Sequence, residues 1–145
     1  MYDSKLLSLI KGIDTTSQDK LIDFVASPYF KKSEQVATLI RYIIDIAPNY
    51  DDERLGKKKC YRVIFSGETF EDVKIRRLMS DALKLVERFV LQEQLQLDKL
   101  SQAKLLTTYY SENNLDDSFY EKFKDWEVTN KTQEGPILFF QRYLM

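Results

Sequence analysis

The sequence predicts an all-α fold, a bundle of about seven or eight helices in which a long central helix leads into a repeat-like helical hairpin. Three observations support this prediction. The 145 residues include only 4 Gly and 3 Pro, too few turn-forming residues for the many tight hairpins of a sheet protein. Apolar side chains recur at helical spacing in several segments. Hydrophobic residues make up 43% of the chain, enough for a core without disulfides or metals.

Short polar signals bound the first two predicted helices. Residues 4–11 are rich in apolar side chains and end at Gly12, a residue type that commonly follows a helix. Thr16 followed by Asp19 resembles a capping box, in which two side chains bond each other's backbone amides. We therefore expect a second helix that starts at this box and ends near Ala26.

The stretch ASPYFKKSE connects the second predicted helix to the third. Pro28 keeps the preceding residue out of the helical conformation, so the second helix stops before it. Ser33 is suited to cap a third helix over residues 34–47, whose apolar positions share one face. Tyr29 and Phe30 are interpreted as anchors that lock the corner between the two helices.

The strongest helical pattern of the chain follows a short basic helix. We expect this short helix over residues 57–65, closed at Gly67, and Thr69 with Asp72 offers a second capping box. From there to about Leu97 the chain has no Pro or Gly and one wide apolar face, which predicts the central helix. The apolar residues of that face are Ile75, Leu78, Met79, Ala82, Leu83, Val86, Phe89 and Val90.

The last third of the chain predicts a helical hairpin. Its helices are expected over residues 99–112 and 116–130, joined by a turn at Asn113 and Asn114, with Asp116 as the N-cap. The spacing of its bulky residues resembles a tetratricopeptide unit, which packs two helices through such positions. The residues that carry this resemblance are Leu106, Tyr110, Phe119, Phe123 and Trp126.

The predicted organisation has two domains. An N-terminal helical bundle covers residues 1–97, and the tetratricopeptide-like hairpin with the start of a further helix covers residues 98–145. The final run, ILFFQRYLM, is apolar enough to need a partner surface. We expect it to fold back on the hairpin, to pair with another copy, or to continue into further helices of a longer protein.

Two segments resemble an uncharacterised bacterial family of long, wholly helical proteins. In SPYFKKSE, a Ser-Pro-Tyr-Phe turn precedes a helix. In YRVIFSGETFEDVKIRRLMSDALKLVERFV, a Phe-x-Gly turn precedes a long helix that bears Leu-Met-Ser-Asp. The resemblance covers residues 20–92. It implies that the chain is the front part of a longer all-helical protein, and it brings no activity with it.

The chain lacks histidine, the side chain that enzymes use most often as a general acid or base. It contains no His, which removes the imidazole base, the commonest metal ligand and any Ser-His or Cys-His pair. The adjacent carboxylates at 51–53 and 116–117 are interpreted as solvated or capping groups. Cys60 is interpreted as a packed apolar residue, and being alone it forms no intrachain disulfide. We therefore expect a cytoplasmic non-enzyme without cofactor, metal site or membrane-spanning segment.

Positive charge is concentrated in the middle of a chain whose net charge is −1. Residues 54–90 carry a surplus of basic side chains, and their short helix, turn and long helix resemble the helix-turn-helix of winged-helix regulators. The β-hairpin of that fold is replaced by helical sequence. The expected nucleic-acid contacts are Lys57, Lys58, Lys59, Arg62, Lys74, Arg76 and Arg77. The alternative is a solvated helix surface whose basic side chains pair with Asp72, Asp81 and Glu87.

The sequence thus predicts a non-catalytic protein-interaction or scaffold module. Its expected partners are another protein or further helical repeats, or a second copy bound through the C-terminal apolar segment. The expected partner-binding residues are Tyr109, Tyr110, Trp126, Phe139, Phe140 and Tyr143. The alternative function is a regulator that contacts nucleic acid through residues 57–77. A third and weaker alternative is a carboxylate-based hydrolase, which the absence of His leaves open.

Overall fold

The computed structural model describes residues 4–30 and 33–129, and over these residues the chain is all-α, as predicted. Seven α-helices and one 3-10 helix follow one another, and no described residue lies in a β-strand. The chain divides into two compact units, Met1–Leu91 and Gln92–Met145. The helices are α1 (Lys5–Lys11), α2 (Thr15–Ala26), α3 (Glu34–Asp45), the 3-10 helix (Glu53–Leu55), α4 (Lys57–Ile64), α5 (Asp72–Leu97), α6 (Lys99–Glu112) and α7 (Asp116–Thr129).

The starts of α2 and α3 show one wrong and one correct prediction. Ser33 caps α3 as expected, because its hydroxyl accepts a hydrogen bond from the backbone N–H of Val36 at 3.2 Å. The capping box expected at Thr16 is wrong, since Asp14 caps α2 and accepts from the N–H of Ser17 at 3.0 Å. A carboxylate both accepts from a free N–H and complements the positive end of the helix dipole, which suits Asp14 to this position.

The starts of α5 and α7 also differ from the prediction. Thr69 lies outside α5, whose first residue is Asp72, so no capping box forms between them. Asp116 is the first residue of α7 and not its cap, because the N–H of Phe119 donates to the carbonyl of Leu115 at 3.0 Å. Asp72 therefore lies in the first turn of α5 and Asp116 in the first turn of α7, where each carboxylate is near the positive end of its helix dipole.

The first unit has one apolar core, built from side chains of α1 to α5. α2 packs against α3, and α3 packs against α4. The apolar face predicted for α3 is confirmed by the burial of Val36, Leu39, Ile40 and Ile43. The helix ends at Asp45, earlier than predicted, and Ile46 is its C-cap. α5 contributes Ile75, Leu78, Ala82, Val86 and Phe89 as predicted, together with Leu85, which the prediction omitted.

The corner between α2 and α3 is a β-turn held by one aromatic side chain. The N–H of Phe30 donates to the carbonyl of Ser27 at 3.2 Å, with Pro28 at the position of the turn that it favours. The Phe30 ring stacks on Phe24 with centroids 4.2 Å apart, and the Arg88 guanidinium lies 5.1 Å from its centroid. Phe30 is an anchor, as predicted. Tyr29 is not, because 80% of it is exposed at the apex of the turn.

The second unit contains the predicted hairpin, in which α6 packs against α7. The turn falls at Asn113 and Asn114 as expected. Asn114 adopts a left-handed conformation (φ 53°), and the N–H of Leu115 reaches back to the carbonyl of Tyr110 at 2.9 Å. This is the Schellman arrangement, which satisfies the last free carbonyls of a helix. The hairpin buries Thr107 of α6 and Phe119 of α7.

Candidate functional site

The predicted nucleic-acid contacts lie on α4 and the first turns of α5, where several of them pair with carboxylates. Lys57 Nζ is 3.1 Å from Asp72 Oδ1, and the Arg76 guanidinium is 2.5 Å from Asp72 Oδ2. The Asp72 carboxylate is thus held between two cations on different helices. Hydrogen bonding from Lys57 is the main cause that lowers the pKa of Asp72.

Two more of these lysines have acidic partners. Lys59 Nζ lies 2.7 Å from Glu53 Oε2, and this hydrogen bond lowers the pKa of Glu53. Lys74 pairs with Glu68, and the same contact raises the pKa of Lys74. The Lys74 ammonium also lies 4.2 Å from the centroid of Phe65, within cation–π range. The local charge surplus is therefore partly compensated within the first unit.

The other predicted contacts are less constrained. Lys58 Nζ lies 5.9 Å from the centroid of the Phe70 ring. Arg62 and Arg77 are exposed, and neither makes an ion pair with any residue that the structure describes. The ion pairs of the other basic side chains are those expected if this segment is an ordinary solvated helix surface. Nucleic-acid binding stays a prediction, and it depends mainly on the two unpaired arginines and Lys58.

Cys60 is buried inside the first unit and is not a reactive thiol. Its Sγ–H donates to the carbonyl of Arg54 at 3.5 Å, and burial raises its pKa to about 11. A thiolate nucleophile requires the opposite shift. The interpretation of Cys60 as a packed apolar residue is confirmed by its burial. Among the residues described, no three His, Cys, Asp or Glu side chains come close enough together to hold a metal ion.

Only part of the predicted partner-binding set falls in the described chain. Tyr109 is exposed and Tyr110 is half-buried, with their ring centroids 6.3 Å apart in an edge-on arrangement. Trp126 belongs to α7, but its side chain lies outside the part that the structure describes. The remaining predicted contacts, Phe139, Phe140 and Tyr143, also lie outside it, as does the segment proposed for self-association.

α6 carries apolar side chains on two faces, and only one of them packs against α7. The inner face contains Thr107, which is 4% exposed and bonds its hydroxyl to the carbonyl of Ala103 at 2.8 Å. On the other side Leu105, Leu106 and Tyr109 are 56%, 42% and 58% exposed. We call this side the outer face of α6; by helical spacing it consists of Lys99, Gln102, Leu105, Leu106, Tyr109 and Glu112.

Charged residues stand only at the two ends of the outer face of α6. Lys99 is the first residue of the helix and Glu112 is the last, and both are exposed. Each has the same sign as the partial charge of its own helix end, an arrangement that costs a few tenths of a kcal/mol. Neither forms an ion pair with another residue in the described part of the chain. The sequence prediction identified Tyr109 here but missed the two leucines and the charges.

A surface cleft of about 480 Å³ lies beside the N-terminal end of this face. The Gln102 side-chain amide donates to the carbonyls of Leu95 and Gln96 at 2.7 and 2.9 Å, which closes the corner between α5 and α6. The lining side chains are three amides, one ammonium group and one leucine, so no acid–base pair faces the cleft. The lining residues are Gln92, Leu95, Gln96, Lys99 and Gln102.

Comparison of the chain with protein-family models, with curated proteins and with solved structures gives no match. The resemblances drawn from SPYFKKSE, from the long basic segment and from the hairpin therefore stay predictions. Within residues 4–30 and 33–129, every helix is too short or too polar to cross a bilayer.

Proposed function

We propose that the chain is a non-catalytic protein-interaction or scaffold module that binds a partner through the outer face of α6. The observation that carries the proposal is the exposure of Leu105, Leu106 and Tyr109 on a helix whose other face is already packed. Burying each of these half-exposed side chains against a partner contributes about 1 kcal/mol. A helix that lays such side chains into a groove is a common mode of protein recognition.

The composition of the face fits a protein partner better than a nucleic acid. Leu105 and Leu106 offer no group that recognises a phosphate, and aromatic residues such as Tyr109 are enriched at the centres of protein interfaces. The basic segment 57–77 has several of its cations paired with carboxylates. Those pairs would have to be broken or shared before the cations contacted a phosphate backbone.

The proposal includes a non-enzyme and a cytoplasmic location. The chain has no His, and the cleft beside α6 carries no acid–base pair. The single cysteine is a free thiol buried in the first unit, which suits a reducing compartment. The outer face of α6 needs no cofactor to bind an apolar partner surface.

The proposal is tested by capture of partners from native cells with the tagged protein and a double variant, Leu105→Lys/Tyr109→Lys. We expect the wild type to retain a stoichiometric protein partner and the variant to lose it, because two ammonium groups cannot be buried at the contact. Val73→Lys is the matched control, since Val73 is similarly exposed but lies on α5 in the first unit. Equal capture by all three proteins, with helicity unchanged, would contradict the proposal.

A further inference from the structure

We propose that the partner of the outer face of α6 is a second copy of this chain, packed antiparallel about a two-fold axis that passes between Leu105 and Leu106. The inference rests on the proposed function and names its partner. A two-fold interface is self-complementary, so each residue must face a suitable residue at the symmetry-related position. The exposed leucines at the centre of the outer face of α6 and the charges at its two ends meet this requirement.

The residues of the face are arranged symmetrically about its centre. Counted outward from the point between residues 105 and 106, Leu105 mirrors Leu106, Gln102 mirrors Tyr109, and Lys99 mirrors Glu112. In an antiparallel pair the leucines therefore meet at the axis. Each Tyr109 lies beside Gln102 of the second copy, whose side-chain oxygen can accept from the Tyr109 hydroxyl while its amide nitrogen stays bonded to the α5–α6 corner. At both ends of the interface a lysine of one copy faces a glutamate of the other.

The position of the charges on α6 supports a partner outside the helix. Lys99 at the N-terminal end and Glu112 at the C-terminal end are each unfavourable for the dipole of their own helix. They lie 13 residues apart, which is about 20 Å along the helix axis, so they cannot pair with each other. An antiparallel copy places the opposite charge and the opposite end of a helix dipole beside each of them.

The test is a charge swap on the 145-residue chain, followed by sedimentation equilibrium over a range of protein concentrations. We expect a dimer whose dissociation constant rises on the order of tenfold in Lys99→Glu and in Glu112→Lys, because each change turns two attractive contacts into repulsive ones. The double variant Lys99→Glu/Glu112→Lys should regain the wild-type dissociation constant. Each single change improves the match to the helix dipole, so weaker dimers cannot be ascribed to a weaker helix.

Controls separate this contact from other modes of self-association. Lys104→Glu makes the same change of charge on α6 but off the outer face, and it should leave dimerisation unchanged. Higher salt should weaken the wild-type dimer, since the end contacts are exposed to solvent. Rescue by the double variant is the decisive result. In a homodimer both sides of each charged contact are reversed together, so attraction returns, whereas a different protein keeps its own charges and would not regain affinity.

Three results would overturn the inference. One is a chain that stays monomeric at all concentrations. Another is a dimer that ignores the single reversals or is not rescued by the double one. The third is a dimer broken by Phe139→Lys/Phe140→Lys and by none of the α6 variants, which would assign it to the C-terminal segment. A monomeric chain that still captures a different protein through Leu105 and Tyr109 would overturn the dimer alone, whereas capture insensitive to those residues would overturn the proposed function.

Discussion

At the scale of single residues, the turn SPYF separates one side chain that holds the fold from one that does not. Phe30 is half-buried between the Phe24 ring and the Arg88 guanidinium, whereas Tyr29 is exposed at the apex. We predict that Phe30→Ala lowers the free energy of unfolding by about 2 kcal/mol, because it removes aromatic stacking and leaves a partial cavity. Urea unfolding followed by circular dichroism measures the change.

Tyr29→Ala is the matched control for this prediction, since it truncates the neighbouring aromatic residue of the same turn. We expect it to change the unfolding free energy by less than about 0.5 kcal/mol. Equal effects of the two substitutions would contradict the assignment of Phe30 as the anchor. Sequence reasoning could place both rings in the corner, but it could not tell which one turns inward, because that depends on the position of Phe24 and Arg88.

Gln18 shows a second limit of reasoning from sequence at this scale. Its buried amide lies within hydrogen-bond distance of the carbonyls of Ile10 and Ile13 and of the Tyr50 hydroxyl, at 3.4, 3.0 and 2.9 Å. It therefore ties α2 to the end of α1 and to the loop after α3. A glutamine in a helix is ordinarily expected at the surface, and nothing in the local spacing reveals that distant carbonyls will surround it.

At the scale of helices and their connections, the turn between α4 and α5 depends on Gly67. The N–H of Glu68 donates to the carbonyl of Phe65 at 3.0 Å, and Gly67 has a φ of 84°. An L-residue with a side chain is strained in that conformation, although a Cβ there would meet no atom within 4 Å. We predict that Gly67→Ala destabilises the fold by about 1 kcal/mol through backbone strain alone.

The matched control is Gly12→Ala, at the C-terminal end of α1. Gly12 has a φ of −75°, and its added Cβ would lie at an ordinary 3.4 Å from the carbonyl oxygen of Leu9. This substitution should be neutral or slightly stabilising, because alanine restricts the unfolded chain. Thermal unfolding of both variants distinguishes the two cases. A stability loss at Gly12 equal to that at Gly67 would show that the sign of φ is not the cause.

The helices themselves were the most predictable part of the structure, because each buried face repeats with the helical period. The face of α3 and most of that of α5 follow directly from spacing. Cap residues were less predictable, since Asp14 and Thr16 both have suitable side chains and only the backbone geometry chooses between them. The outer face of α6 was largely missed because the apolar residues of this helix are distributed around its whole circumference. Their spacing therefore does not indicate which side packs against α7.

Charge counting along the sequence had a similar limit. The surplus of residues 54–90 is present, but Glu53 and Glu68 approach the lysines only after the chain turns between helices. The sequence-based alternative correctly named Asp72 as a partner of the basic residues. Counting charges along the sequence therefore identified residues 54–90 as basic. Only the folded structure shows which of these cations pair with carboxylates and which do not.

At the scale of the whole molecule, the titratable groups divide into two separated ranges of pH. The pKa values of Asp14, Asp52, Asp72 and Asp98 are lowered, each chiefly by a side-chain hydrogen bond, and that of Asp52 falls from 3.8 to about 2. At the other extreme, burial raises the pKa of Cys60 from 9.0 to about 11, and it also raises the pKa values of Tyr42 and Tyr61 above the usual range of tyrosine. Between these ranges the sequence contains no His, the side chain that ordinarily titrates near neutral pH.

These shifts predict a flat stability profile near neutral pH with losses on both sides. A carboxyl with a lowered folded-state pKa stabilises the fold above its unfolded pKa, and this contribution is lost as pH falls from about 4 towards 2. A thiol with a raised folded-state pKa has the opposite effect, because above pH 9 the unfolded chain releases a proton that the folded chain retains. Stability should therefore fall between pH 9 and 11, by at most about 1.4 kcal/mol per pH unit for one group.

Urea unfolding midpoints measured from pH 2 to 10.5 test this profile with one variant for each limb. Asp52→Asn should reduce the acid loss, because its side chain no longer takes up a proton on unfolding, and Cys60→Ala should reduce the alkaline loss while lowering stability at every pH by leaving a cavity. The midpoint should be constant from about pH 5.5 to 8.5. A slope inside that interval would show that a group other than these acids changes its pKa on folding, and an unchanged alkaline limb in Cys60→Ala would show that the buried thiol is not its cause.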